Sequence, residues 1–313
     1  VLHTALLLAY DPEAKITAPV ITGVIQGCVY GLIGLGLVLV YKSNKFFTFV
    51  QAEIATVAAF AGSLARDPKG GTGNFVVACL VGILTGVIVG LLTQVLVIRP
   101  LFRASRITLT VATVGVALVL IQGELLVFGA NAKRFAPLVR GTGEREGVSL
   151  LATSVSRVSW SQMVLVLFFV AAGLMAAAFF RTRYGTGILA VSQEPTAAST
   201  VGINVMRVSL LTWGLVGLLA GIAGVAYAPV AIQVTPGLMT VNGPLVGGFV
   251  AAVVGGMTSL PGAFAGGLTV GLVEQLANAN QPSGISGFKD LVVFGMLLLV
   301  LLVRPKGLLG KEA

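Results

Sequence analysis

The chain is poor in charge, histidine and cysteine, and each shortage removes a class of function. Only 10% of its 313 residues are charged, whereas soluble domains carry about 25%. A hydrophobic fraction of 56% and a mean hydropathy of +1.00 complete the pattern, which excludes a soluble globular domain and reads as a polytopic membrane protein. The single histidine, His3, stands near one end, so neither a histidine metal site nor a Ser-His-Asp triad can be assembled in the interior. Cys28 and Cys79 lie inside apolar runs, where a thiol behaves as a small hydrophobe, and they imply no disulfide framework. No Gly-x-x-x-x-Gly-Lys-Ser/Thr phosphate loop is present; the nearest run, Gly307–Lys311, lacks the first glycine and continues into Glu312. Acids for general acid–base chemistry would have to come from Glu53, Glu124 and Glu274, which fall on different segments. The expectation is a non-enzyme with neither metal nor cofactor of its own.

Positive charge, by contrast, is in excess: 20 Lys and Arg against 11 acids, a formal +9. In so apolar a chain this asymmetry belongs to short loops on the cytoplasmic side of a membrane, not to a nucleic-acid surface. The basic clusters are Lys42 and Lys45, then Arg99, Arg103 and Arg106, then Arg181, Arg183 and Arg207 with the single acid Glu194 between them. Between the clusters the apolar runs predict about nine membrane segments: Ala18–Tyr41, Phe49–Ala65, Asn74–Ile98, Ile107–Phe128, Gln162–Phe180, Val208–Ile232, Gly243–Met257, Gly262–Ala277 and Leu291–Val303. The longer ones suffice for a hydrocarbon core of about 30 Å. Phe49–Ala65 and the 243–277 pair are short enough to be re-entrant or interrupted, as segments around transport pathways often are. The fold expected is therefore all-α, a single transmembrane domain over 1–313, with the mixed-charge loop at about 129–161 outside and the basic loop at about 181–207 inside.

The chain has 41 glycines, and many recur every fourth residue: Gly23, Gly27 and Gly31; Gly82, Gly86 and Gly90; Gly217 and Gly221; Gly262 and Gly266; Gly267 and Gly271. Small faces of this kind allow membrane helices to approach closely where lipid supplies no hydrophobic drive.

The basic loop has internal punctuation. Gly185 and Gly187 loosen the exit from the preceding helix, Pro195 suits a first helical turn, and Gly202 suits a left-handed C-cap. A short helix over Pro195–Val201 follows, carrying the small residues Ala197, Ala198 and Ser199; it is either a solvated connection or a docking surface. Polar residues inside the spans are the remaining signal, because they are costly in lipid. Gln51, Glu53, Gln122 and Glu124 are candidate pathway residues. Glu53, close to Lys42 and Lys45, reads equally as an interfacial or salt-bridged group, and Glu124 and Glu274 stand near the outer ends of their spans, where snorkelling to water is expected.

These residues resemble a known family, the integral membrane permeases of bacterial ABC importers of the branched-chain amino-acid type. Val29–Tyr41 (VYGLIGLGLVLVY) and Thr48–Glu53 (TFVQAE) are similar to its first-span blocks, with Thr48 and Ala52 as departures; Arg99-Pro100-Leu101 matches the motif after the third span. Thr196–Ile203 is similar to its cytoplasmic acid-Ala-Ala…Gly loop, with Thr196 in place of the acid and Glu194 two residues earlier. Gly255–Gly267 (GGMTSLPGAFAGG) and Arg304–Gly310 (RPKGLLG) match its late signatures. The resemblance, to the shorter of the two permease types, covers nearly the whole chain. It implies a multi-pass protein of the bacterial plasma membrane that imports branched-chain or related small amino acids or amides by alternating access. It also implies a second, homologous permease chain, an external solute-binding protein, and two cytoplasmic ATPase subunits that hold the ATP and magnesium. Glu194, Pro195, Thr196, Ala197, Ala198 and Gly202 would then couple this chain to the ATPases. The alternative from another class is a stand-alone secondary carrier or channel that uses Glu53 and Glu124 as proton or ion sites.

Overall fold

Helix α1 (Ala14–Asn44) is the axis of the molecule. It is buried without a break from Gly27 to Val40, and the segments 205–231, 244–255 and 260–279 pack most extensively against it. The structure is a computed structural model that describes residues 14–66, 72–102, 104–135, 147–149, 157–240, 243–282, 287–304 and 307–309. Most of the long loop expected at 129–161 lies outside these residues, as does Arg103.

In chain order, α2 (Val50–Ala65) follows α1, then α3 (Thr72–Thr93), which ends in one π-helical turn, Gln94–Ile98, before Pro100 stops it. Next come α4 (Arg106–Phe128), strands β1 (Lys133–Arg134), β2 (Gly147–Ser149) and β3 (Arg157–Ser159), and α5 (Trp160–Phe179). Two short helices, α6 (Arg183–Gln193) and α7 (Pro195–Thr200), precede α8 (Val205–Ala231), strand β4 (Gln233–Val234), α9 (Pro244–Gly255), α10 (Leu260–Ala279) and α11 (Phe288–Val303). The strands make two small antiparallel ladders, β1 with β4 and β2 with β3. The nine apolar runs all become helix, and five of those helices are long and apolar enough to cross a membrane.

The glycine runs meet one another. A Cβ on Gly86 would stand 2.8 Å from Gly221 Cα, and one on Gly90 would stand 2.9 Å from Gly217 Cα, so α3 and α8 touch backbone to backbone. Across a second seam, a Cβ on Gly27 would stand 2.8 Å from Leu268 Cα and one on Gly23 2.9 Å from Leu272 Cα, which joins α1 to α10. No side chain larger than hydrogen fits at these positions without separating the helices.

Two of the shorter helices start inside the bundle. Helix α2 starts beside the middle of α1, where the side-chain amide of Gln51 donates to the carbonyl of Ile33 at 3.2 Å and fills the space left by Gly36. Helix α9 also starts beside the middle of α1, with Gly247 against the ring of Tyr30. Its 12 residues reach about 18 Å at 1.5 Å per residue, too little for a core of about 30 Å. Helix α10 then turns back along it, with Gly262 against Gly255 and Gly266 against Ala251. The last carbonyls of α9 are closed by the chain's C-terminal segment: the amides of Leu308 and Leu309 donate to Val254 O at 2.8 Å and Gly255 O at 3.1 Å. Gly307, at φ +81°, permits that approach, since a Cβ there would lie 2.6 Å from the nitrogen of Gly256. The Arg-Pro-Lys-Gly-Leu-Leu-Gly signature is thus in part a cap for a half-helix.

Candidate functional site

Two regions carry the polar chemistry, one at the basic end of the bundle and one between α2 and α4. At the basic end, α6 was not foreseen. Thr182 caps it by accepting from the amide of Gly185 at 3.3 Å, and Gly185 is a close-approach residue, not a loosened exit: a Cβ there would lie 2.5 Å from Phe180 Cα. Its apolar face, Ile188 and Val191, packs with Ala198 of α7 and Val208 of α8 into a small separate core.

Helix α7 has the termini expected for it. Pro195 occupies the first turn and Glu194 is the N-cap, without a side-chain capping bond. Gly202 takes φ +84°. The amide of Ile203 donates to Ala198 O at 3.0 Å and that of Gly202 to Ser199 O at 3.1 Å, a Schellman closure in which Ile203 also joins the apolar contact around Ala198. The side chains of Pro195 and Thr196 lie outside the described residues. Ala197 is exposed, but Ala198 is 4% exposed and faces inward. The small size of Ala198 therefore serves the seating of α7, and the surface that α7 presents includes Glu194, Ala197, Ser199, Thr200 and Val201. Beside it a cleft of about 430 Å³ opens between the end of α1, the start of α4 and the α6–α7 joint, lined by Lys45, Phe102, Arg106, Ser192, Gln193 and Glu194 among others.

In the second region the structure brings Glu53 and Glu124 together and separates Gln122 from them. Glu53 on α2 is fully buried and Glu124 on α4 is 2% exposed. Each is the charged group that faces the other. A salt bridge from Glu53 to Lys42 or Lys45, one of its alternative readings, is absent, since neither of its oxygens has a partner, and Lys42 lies 5.0 Å over the Phe180 ring. Glu124 does not snorkel, because the chain after β4 folds back over it. Non-helical backbone at 235–240 lies beside α2 and α4, and two of its amides are met by their side chains. Gly237 N–H donates to Glu124 Oε2 at 3.1 Å, and Met239 N–H donates to the hydroxyl of Thr56 at 3.2 Å. Irregular backbone within a membrane is tolerated only when shielded by protein in this way. Gln122, two residues from Glu124 and on the opposite face, is exposed.

Glu274 was expected near water and is likewise buried. It accepts a hydrogen bond from the Tyr30 hydroxyl and stands 3.6 Å from the ammonium of Lys289 on α11. Neither Tyr30, Lys289, Thr56 nor the 235–240 backbone was singled out from sequence. Thr56 lies one turn from Glu53 and could have been picked as sharing its face; the others are joined to their partners only by the tertiary fold.

Comparison with known proteins follows the same outline. The profile of the family described as "Branched-chain amino acid transport system / permease component" matches residues 20–301. The chain is 29% identical over 301 residues to the high-affinity branched-chain amino acid transport system permease protein LivH of Escherichia coli, covering 92% of this chain and 94% of that one. It is 27% identical over 305 residues to BraD, the corresponding permease protein of Pseudomonas aeruginosa, covering 93% and 94%. The ribose import permease protein RbsC of Escherichia coli aligns at 26% identity over 88% of this chain and 81% of its own length. With its apolar spans, half-helices and basic end, and matched by that profile along nearly all its length, the chain is a multi-pass inner-membrane protein and belongs to the permease component family of the branched-chain amino acid transport system.

Proposed function

We propose that the chain is the membrane-spanning subunit of an ATP-driven importer whose solute is a branched-chain amino acid or a related small amino acid or amide. It pairs with a second, homologous permease chain; two cytoplasmic ATPase subunits bind ATP and magnesium, and an external binding protein delivers the solute. Family membership and the named roles of LivH and BraD support the solute class. The sequence of RbsC, named for ribose, is the reason that the solute deserves direct test.

The observation that carries the reading is the construction of α6 and α7. They form a compact apolar unit of their own, anchored to α8 through Val208 and to the end of α5 through Gly185. A push on the exposed surface of Glu194, Ala197 and Val201 therefore moves two membrane helices together. Such a lever is what an ATPase that closes on ATP requires in order to alternate the access of the pathway. Gln51, Glu53 and Glu124 stand beside the starts of the half-helices, where pathways through broken helices are built. The exposed Gln122 supports a different role, since an amide facing hydrocarbon is costly and the second permease chain would cover it.

The test is affinity purification from gently solubilised membranes with ATP hydrolysis and uptake assayed on the complex. Ala197→Trp is expected to lower both more than about tenfold, the loss of one central contact in an interface, with membrane insertion and thermal midpoint unchanged. Ala198→Trp is expected to lower the midpoint as well, by overpacking of about 1–3 kcal/mol. Full activity of Ala197→Trp, or a lone chain that moves solute in liposomes without ATPases, would overturn the reading.

A further inference from the structure

Among the described residues, Glu53 and Glu124 are two facing carboxyl groups with no cationic side chain against them. The 0% and 2% exposures leave no water to screen them. Both oxygens of Glu53 and Oε1 of Glu124 lack any hydrogen-bond partner, and each carboxyl is the only charged group that the other faces. From α2 the neighbouring polar group is Thr56, whose hydroxyl is engaged with Met239 N–H; from the 235–240 segment it is Thr240, whose hydroxyl faces Glu53 and donates to Gly237 O. The ion pair of Lys289 with Glu274 belongs to another cluster.

Two bare anions cannot be held in that position: even after relaxation, burial of a single unpaired ion costs several kcal/mol, and a second anion beside it adds repulsion. Something small and positive that the described side chains do not supply must enter. The available donors are all oxygens, two carboxylates and a hydroxyl, a set suited to a hard cation. We propose that the Glu53–Glu124 pair is a binding site for one monovalent cation, a proton shared between the carboxyls or an alkali ion, and that its occupancy fastens the 235–240 segment to α2 and α4.

The consequence is mechanical. Gly237 hangs on Glu124 and Thr240 faces Glu53, and the same segment holds the start of α9, where Gly243 N–H donates to Thr240 O at 2.7 Å and Leu245 N–H to Met239 O at 3.0 Å. Emptying the site restores repulsion between its two walls and releases the backbone that sets the start of that half-helix. Filling it makes the segment and α9 one body with α2. The inference rests on the geometry of the pair alone and would stand if the importer reading fell.

The experiment uses the purified complex in detergent, with hydrogen exchange of the 233–243 peptide and the thermal midpoint followed in two series. One varies sodium or potassium chloride against N-methylglucamine chloride at constant ionic strength; the other varies pH without alkali ions. In one of the two series the peptide is expected to slow by about tenfold when the cation is at about ten times its dissociation constant, and the midpoint to rise saturably. A response to alkali ions identifies a metal ion and a response to pH alone identifies a proton. The double variant Glu53→Gln/Glu124→Gln, which keeps the shape and removes the charge, is expected to be flat in both series and as protected as the occupied wild type. Should that variant not assemble, wild-type exchange at 233–243 still decides. Exchange that is indifferent to both series, or a double variant that retains the wild-type response, overturns the site.

Discussion

Glu274 and the Glu53–Glu124 pair are buried carboxyl groups within one bundle, and they are treated in opposite ways. Glu274 has a phenol donor from the middle of α1 and an ammonium from the outer end of α11. It is a compensated anion, and the three helices it joins surround the half-helix α9, whose Gly247 lies against the Tyr30 ring. Glu53 has no cation beside it, and the hydroxyl that faces it, on Thr240, is donated to Gly237 O, although its burial is more complete. A carboxylate whose charge and hydrogen bonds are answered within the fold acts as a rivet; one left unanswered beside irregular backbone is free to respond to what reaches it. The difference separates the part of the α9 environment built to stay from the part built to change.

The largest expected effect tests that separation directly. Glu274→Leu strips the acceptor from the buried Tyr30 hydroxyl and the partner from Lys289, and should destabilise the chain by about 1–3 kcal/mol, the penalty for a buried polar group left unmade. With the Glu53–Glu124 site empty, Glu53→Leu removes an unpaired anion and its repulsion of Glu124, and replacement of a buried, poorly compensated charge by an apolar side chain is commonly neutral or stabilising. Thermal unfolding of the two variants in the same detergent should therefore give a lowered midpoint for the first and an unchanged or raised midpoint for the second. Equal losses would break the comparison.

Much of this arrangement is readable from sequence wherever a local pattern determines it. Uncharged runs became helices, glycines at four-residue spacing became the α1–α10 and α3–α8 seams, and Pro195 and Gly202 bounded α7 as their backbone preferences require. What was hidden depends on contacts between distant residues. Gly185 reads as a helix breaker until the backbone of Phe180 is placed against it. A six-residue helix has too few turns for its pattern to say which alanine faces inward, so Ala198 was taken for surface. Glu124, close to the end of a span, looks the same whether it reaches water or is roofed by a segment more than a hundred positions later, at Gly237. Tyr30 and Glu274 are 244 residues apart, and nothing local marks either as half of a pair.

A middle-sized effect sharpens the view of Glu274 as a rivet. Tyr30→Phe keeps the ring against Gly247 and removes only the donor while Lys289 still compensates the carboxylate, so the loss should be the net worth of one hydrogen bond, about 0.5–1.5 kcal/mol. The pair Tyr30→Phe and Glu274→Leu should be non-additive by about 0.5 kcal/mol or more, since the second change removes what the first has already lost. A double-mutant cycle on thermal or denaturant unfolding measures this coupling, and strict additivity would mean that the phenol and the carboxylate do not depend on each other.

The smallest effect belongs to Lys289, and its size bears on where the compensation of Glu274 comes from. The ammonium side chain is 42% exposed while the carboxylate is 9% exposed, at 3.6 Å. Water therefore solvates the cation in either case, and a pair with one wet member is worth about 0–1 kcal/mol. Lys289→Met should lower the midpoint only slightly at low salt, and the difference from wild type should shrink as ionic strength rises and the pair is screened. Because Tyr30 remains as a donor to Glu274, the variant should retain its packing around α9, seen as unchanged hydrogen exchange in the 244–255 peptide. A large, salt-independent loss at Lys289 would instead mean that the ion pair itself holds the charge of Glu274. The contrast with Glu53, which has no such neighbour, would then rest on the ammonium more than on the phenol.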